Sequence, residues 1–323
     1  MCSFFLYISV MSKAFDLTSD IHLDFWVKTT DPLVKQIELI DLLINKLLPV
    51  NPANTIVIAG DLGHANWQNI LFLETLRKYY SNVVLVHGNH DFYLISKNQK
   101  SIYKNDSYNR INEMITLASN IPGVYYLDGT KCVELDGITY GGTGMWYDDS
   151  YAENVWNMDT IATQDLWYDH MNDGKCIIRP NGSYLRKRAV KPFNRYEAFI
   201  EQYNLLEQHI GKCDVIVTHI SPTYEFLQIK FNCPESTFYH FNGSAMLDRL
   251  NESNVWCYGH THDQYLNTHK NGCLLACNPL GYPQDSYMGH SWIKYPFNER
   301  MKISNVVIGA MKYDELFSSE RFK

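Results

Sequence analysis

Five short polar motifs, each set directly after an apolar run, constrain this chain more than any other feature. They are Asp20-Ile21-His22, Gly60-Asp61, Gly88-Asn89-His90-Asp91, Thr218-His219 and Gly259-His260-Thr261-His262. Apolar runs as short and β-branched as 55–59 (Thr-Ile-Val-Ile-Ala) and 83–86 read as buried strands, so each motif falls where a strand should end. Alternate residues of an extended segment share a face. Asp20 with His22, and His260 with His262, can therefore each reach one cleft from one strand end. Taken singly, every piece has an ordinary explanation: Gly60-Asp61 as a strand-to-turn junction, Gly88-Asn89 as a turn pair, His219 as a structural strand-end histidine. Taken together they do not, because five of the chain's 12 histidines fall in this set.

The segments between the motifs indicate the fold. Asp31 reads as an N-cap and Pro32 as the first helical residue of a helix over 33–48 that stops at Pro49. Helices are also predicted at 66–80 and 193–210. Further strands are expected at 124–127, 137–141, 214–218, 255–258, 273–277 and 304–308. A βαβ opening followed by β-rich segments predicts an α/β layered domain. A chain of 323 residues, 46% apolar and 20% charged, can build one large core. Residues 1–10 read as an extension ahead of a protein that begins Met11-Ser12-Lys13, and 11–323 as a single domain. Its apolar stretch 3–10 is too short to span a bilayer, and no membrane association is expected. The eight cysteines form no CxxC pair and read as reduced thiols of a cytoplasmic protein, with Cys213 and Cys257 acting as small buried hydrophobes.

One region departs from the pattern. From Tyr147 to Gly174 there are seven acids and no Lys or Arg, and from Lys175 to Arg195 seven bases and no acid. This marks an inserted cap-like lobe at about 147–195. Either its halves neutralise each other, which is the plainer reading, or it is a lid that brings cations to a substrate anion.

Mixed Asp, His and Asn donors suit Mn²⁺, Fe or Zn²⁺ better than Ca²⁺, which prefers all-oxygen shells. Holding two cations together takes a shared, negatively charged ligand, and Asp61 at the end of its strand is the natural bridge. In this order and spacing, the five motifs resemble the calcineurin-like metallophosphoesterases over about residues 14–282. The runs Gly141-Gly142-Thr143-Gly144-Met145-Trp146-Tyr147-Asp148 and Cys277-Asn278-Pro279-Leu280-Gly281-Tyr282 are similar to a bacterial and phage branch labelled serine/threonine-phosphatase-like. The resemblance implies a four-layer sandwich of two β-sheets flanked by helices. It also implies two divalent transition-metal ions, Mn²⁺ first, with Fe, Zn²⁺ or Ni²⁺ as alternatives. One ion would be held by Asp20, His22, Asp61 and His262, the other by Asp61, Asn89, His219 and His260. His90 would contact the phosphate and protonate the leaving group, with Asp91 as its orienting carboxylate. The loop Gly60-Asp61-Leu62-Gly63-His64 departs from the family, in which many members keep a longer gap before the next glycine.

The implied activity is hydrolysis of a phosphoester, as a phosphatase or phosphodiesterase, in a small molecule, nucleotide or phosphoprotein. Nuclease action on DNA or RNA is the second reading. It rests on the basic run and is opposed by the net charge of −7. A non-catalytic scaffold of the same fold is the third, opposed by the presence of both His90 and Asp61. Outside the motifs, Asp24 reads as a hydrogen-bonding support, His64 and His87 as structural residues near the cleft, and Asn278 as lying outside the site. His170, His209, His240, His269 and His290 have no spacing partners and default to surface or packing roles.

Overall fold

The computed structural model describes residues 13–180, 190–283 and 304–307. The extension read at 1–10 lies outside the described residues, as do Arg186, Lys187 and Arg188 of the basic run. In chain order the strands are β1 (Ala14–Thr18), β2 (Thr55–Ala59), β3 (Asn82–Val86), β4 (Val124–Tyr126), β5 (Val133–Leu135), β6 (Ile138–Gly142), β7 (Ile178–Pro180), β8 (Val190–Pro192), β9 (Val215–Val217), β10 (Val255–Tyr258), β11 (Tyr265–Thr268), β12 (Leu274–Cys277) and β13 (Ser304–Val307). They form one sheet in the order β13-β1-β2-β3-β4, a second in the order β11-β12-β10-β9-β6-β5, and the small pair β7-β8.

The alternation of side chains along each strand sorts the core into layers. Val57 and Ala59 of β2 and Val84 and Val86 of β3 share one buried cluster with Val215 and Val217 of β9 and Val255 and Cys257 of β10, which fills the space between the sheets. The intervening residues Ile56, Ile58, Val83 and Leu85 point the other way, into a cluster with Ile40, Leu43, Ile44 and Leu47 of helix Leu33–Leu47 and Phe72, Leu73 and Leu76 of helix Asn66–Leu76. On the far side of the second sheet, Ile216, Trp256, Tyr258 and Leu275 join Trp146, Trp167, Leu206 and Ile210. Two sheets between two outer layers give the four-layer sandwich.

Strand direction is what places the site. β1, β2, β3 and β4 are parallel, as are β6, β9, β10 and β12, so the carboxyl ends of each set share an edge. The two edges are stitched together where Ser19 bridges Pro279, through Ser19 N to Asn278 O (3.0 Å) and Leu280 N to Ser19 O (2.9 Å). Ligands of open α/β sheets gather at such carboxyl ends.

Several boundaries differ from expectation. Pro32 is the cap of the first long helix and Leu33 its first residue, because the extended ψ of Pro32 (143°) keeps it outside. The helix expected over 66–80 ends at Leu76, and that over 193–210 spans Arg195–Glu207, with Asn194 accepting from Tyr196 N (3.2 Å) and Glu197 N (3.3 Å). Helix Lys97–Ile102 and strands β5 and β11 carry too little apolar periodicity to announce themselves, whereas helix Ser107–Ser119, which buries Ile111, Met114 and Ala118 at helical spacing, is a further element beyond those expected. No helix of the described residues is long and apolar enough to cross a membrane.

Candidate metal centre

All five sequence motifs converge. Asp20, His22 and His262 offer donor atoms close together, and Asp61, His219 and His260 form an adjoining group. The groups meet at Asp61, whose Oδ2 lies 3.3 Å from His219 Nε2 and 3.7 Å from His22 Nε2. Within the first group His22 Nε2 is 3.1 Å from His262 Nε2, and His262 Nε2 is 3.4 Å from Asp20 Oδ1. Within the second, His219 Nε2 is 3.2 Å from both His260 Nδ1 and Asn89 Oδ1. Imidazole and carboxylate donors this close repel or must share protons, and divalent cations are what such a set fits.

Outward contacts fix which atom faces in for three of the candidate ligands. His219 Nδ1 donates to Ala59 O (2.9 Å), leaving Nε2 for the site. His260 Nε2 donates to Phe238 O (3.1 Å), leaving Nδ1. Asn89 donates through Nδ2 to Asp173 Oδ1 (2.8 Å), which turns its Oδ1 inward. Asp173 is fully buried and also accepts from Tyr93 Oη (2.5 Å) and Tyr147 Oη (2.7 Å). Sequence reasoning missed Asp173, one acid among seven in its stretch. Asp173→Ala is expected to weaken metal binding about 10- to 100-fold, the usual effect of losing a ligand's outer partner. Asp173→Asn, which keeps an acceptor, should restore part of it, as read by metal titration.

Backbone strain is concentrated here. Asp20, His22, Asp61, His260 and His262 all have positive φ, between 43° and 67°. Such conformations cost on the order of 1–3 kcal/mol each in non-glycine residues and persist where surrounding structure imposes them. The glycines beside them are sterically required. A Cβ at Gly88 would lie 2.1 Å from Asp61 Oδ1, and one at Gly60 2.5 Å from His219 Nδ1.

Electrostatics follow from burial. Burial opposes the charge on Asp20, but the His262 hydrogen bond and the nearby imidazoles hold its carboxyl far below the usual range. Burial and His262 push His22 down to about 3, and burial with His219 pushes His260 well below its ordinary value. Burial likewise disfavours charge on His219, yet Asp61 beside it raises its pKa to about 9. Burial raises Asp61 as well. The metal-free pair thus holds a proton at neutral pH that a cation must displace. Metal affinity is expected to increase as pH rises from 6.5 toward about 9 and to level off beyond, with proton release detectable by calorimetry in buffers of different ionisation enthalpy. Affinity that stays flat across that window would contradict the shared proton.

His90 sits beside the shared carboxylate and makes a third group with His22 and Asp61. Its backbone N donates to Asp61 Oδ1 (2.9 Å). The expectation that Asp91 orients the His90 ring is corrected. The Asp91 carboxylate instead accepts backbone N–H groups of Gly88 (2.8 Å), Asp61 (3.0 Å) and Leu62 (3.2 Å), and so ties the two metal loops together. The ring is held by others: His64 Nε2 lies 3.1 Å from His90 Nδ1, Asp24 Oδ2 lies 2.7 Å from His64 Nδ1, and Tyr282 Oη lies 3.2 Å from His90 Nε2. Asp24 is thus the support it was expected to be, while His64 has a closer role than packing. Arg110, fully buried, clamps the carbonyls of His90 (2.9 Å), Tyr93 (3.0 Å) and Gly63. Asn278 stays outside the donor set, bonded to Leu17 O (2.8 Å) and Gln264 Nε2 (2.6 Å).

These groups open into a cleft of about 410 Å³ whose walls include Tyr93, Met171, Leu227, Phe231, Tyr239 and Tyr265. Two cations of the basic run have partners within the chain. Arg195 is buried, paired with Asp149 (2.5 Å) and set over Trp167, and Arg179 lies 3.9 Å over the Tyr108 ring.

A family model described as calcineurin-like phosphoesterase matches residues 14–264. A relative from Acanthamoeba polyphaga mimivirus, "Uncharacterized protein L509", is 24% identical over 243 residues, covering 71% of this chain and 79% of that protein. Among solved structures, phosphopantetheinyl hydrolase (PptH) from Mycobacterium tuberculosis aligns with a TM-score of 0.64 at 15% identity, over 90% of this chain and 95% of that one. A dimetal phosphatase from Danio rerio aligns with a TM-score of 0.40 at 15% identity, over 82% and 87%.

Proposed function

The chain belongs to the calcineurin-like phosphoesterase family, and on that premise we propose that it hydrolyses a phosphoester of a small organic molecule at a centre of two divalent cations. The family supports metal-dependent phosphoester hydrolysis in general. The observation that carries the finer reading is the convergence of two donor groups on Asp61, with His90 alongside, in one cleft of about 410 Å³. Asp20, His22, Asp61 and His262 would hold one ion, and Asp61, Asn89, His219 and His260 the other. When bound, the cations supply Lewis-acid charge to the phosphoryl oxygens and lower the pKa of an attacking water.

The residues have separable roles. The Asp61 carboxylate neutralises positive charge at the centre of the set. Ala59 O, Phe238 O and Asp173 keep His219, His260 and Asn89 aimed, so the site is organised before substrate arrives. His90 is the proton donor to the departing oxygen. Burial and its imidazole neighbours hold its pKa well below the ordinary value, and an arriving phosphoryl anion acts in the opposite direction by favouring imidazolium. The aromatic walls suit an organic substituent better than a duplex backbone. Burial of Arg195 against Asp149 removes one of the seven cations on which a nuclease reading rested.

Mn²⁺ is the proposed metal and the cytoplasm the proposed location. The lobe at about 147–195 is proposed to shape substrate choice, since its Asp173 positions a ligand while His170, Met171 and Asn172 line the cleft. The test is a panel of aryl phosphates and bis-aryl phosphodiesters assayed with Mn²⁺, Zn²⁺, Ni²⁺ and Mg²⁺. Turnover that is insensitive to salt is expected. A steep fall with salt, together with a preference for polynucleotides, would favour the nuclease reading instead.

A further inference from the structure

At the end of β9 remote from His219, Cys132, His209 and Cys213 come together outside the site described above. Cys132 Sγ lies 2.9 Å from His209 Nδ1 and 2.8 Å from Cys213 Sγ. We propose that this trio is a separate structural site for one soft or borderline cation, Zn²⁺ in the first instance, bound by two thiolates and one imidazole.

Three observations support a metal over an incidental cluster. First, His209 Nε2 donates to Gly129 O at 2.8 Å, so the proton sits on Nε2 and the Nδ1 lone pair faces both sulfurs. Metal-binding imidazoles are held by such an outward bond, whereas a disulfide between the cysteines would make no use of it. Second, the flank of the trio is kept clear by Gly141 of β6. A Cβ there would stand 2.6 Å from Cys213 Sγ and 2.9 Å from His209 Nδ1. Third, His209 and Cys213 are buried while Cys132 is exposed. A cation has an entry path from solvent and a position there for a fourth ligand. Thiolate with imidazole selects Zn²⁺ over the harder ions suited to the carboxylate-rich centre. With Zn–S near 2.3 Å, tetrahedral geometry sets the sulfurs about 3.7 Å apart, a widening the exposed Cys132 segment accommodates. Burial and Cys132 raise the Cys213 thiol, so cation binding there releases a proton.

The placement argues for a structural clip. Cys213 precedes His219 by six positions of chain, roughly 20 Å at strand rise. Bound metal would pin the segment leading into the edge strand β5 to the chain just after helix Arg195–Glu207. Gln202 of that helix accepts from Met145 N (2.5 Å) and Thr143 Oγ1 (3.0 Å) and contacts His87 Nε2 (2.8 Å) beneath the cleft.

The test titrates Co²⁺ into the reduced, metal-stripped full chain and follows the thiolate-to-cobalt charge-transfer band, which a carboxylate–imidazole centre cannot produce. The band is expected to reach the intensity of one thiolate-ligated Co²⁺ per chain, within a total uptake of three equivalents because the two-cation centre fills as well, and to be displaced by Zn²⁺. It should vanish in Cys132→Ser, an exposed change that spares the fold, weaken at least about 10-fold in His209→Asn, and persist in Asp61→Asn. Three results would overturn the proposal: no band in the reduced wild type, a band that survives Cys132→Ser, or peptide mapping that finds Cys132 linked to Cys213 in a chain that shows no band after reduction.

Discussion

Asp61→Asn is expected to lower turnover by at least ~10²-fold and to weaken binding of both cations together, since mutagenesis of charge-stabilising groups at hydrolytic centres costs 10²–10³ or more. The size of the effect comes from position. Among the described residues Asp61 is the carboxylate that both donor groups reach, with His219 Nε2 at 3.3 Å and His22 Nε2 at 3.7 Å. Asparagine keeps the shape but removes the negative charge that lets several imidazoles and two cations share a small volume. Its amide would also set N–H donors against the imidazole nitrogens. Metal analysis of the purified variant separates this from a purely local defect: loss of one equivalent only would mean that Asp61 is not shared.

His90→Ala is expected to cut turnover at least ~10²-fold while leaving metal content unchanged, because proton transfer by a positioned side chain contributes about that much. The deficit should shrink as the leaving group becomes more acidic, since a good leaving group departs without a proton. A defect equal for all leaving groups would assign His90 to binding alone. The chain Asp24–His64–His90, with contacts of 2.7 and 3.1 Å, gives the ring its orientation. His64→Ala is therefore expected to act through His90, as a smaller loss of about 10-fold with a displaced pH profile.

The centre was legible in the sequence to the extent that its residues interrupt an apolar strand. Asp61 after Thr55–Ala59 and His260 after Val255–Tyr258 stand out because strands buried on both faces leave their polar termini conspicuous. The same logic gave the layered fold, since Thr55–Ala59 is buried throughout. What supports the centre was not legible. Asp173 reaches Asn89 across 84 positions of chain, and Arg110 reaches Gly63 across 47. Neither spacing nor composition encodes such contacts. Asp91 follows His90 in sequence, but adjacency in the chain is not adjacency of side chains, and in the tight turn His90–Phe92 its carboxylate serves the loop backbone rather than the ring. His209 and Cys213 are only four residues apart, but their partner Cys132 lies about 80 positions earlier, which is why each alone read as packing.

The positive φ at five site residues was equally hidden, and it bears on stability. Residues held in that region by their surroundings relax when the surroundings loosen, so strain at the centre opposes folding until ligands or neighbours compensate.

The central claim, a two-cation phosphoester hydrolase, is tested most directly by stripping the full chain with a chelator, confirming loss of metal, and restoring Mn²⁺ stepwise while following hydrolysis of a bis-aryl phosphodiester and an aryl phosphate. No turnover is expected in the stripped chain, with recovery that saturates once both cations of the centre are restored. Hydrolysis that persists in the fully stripped protein, or a chain that takes up two equivalents yet hydrolyses neither ester, would contradict it.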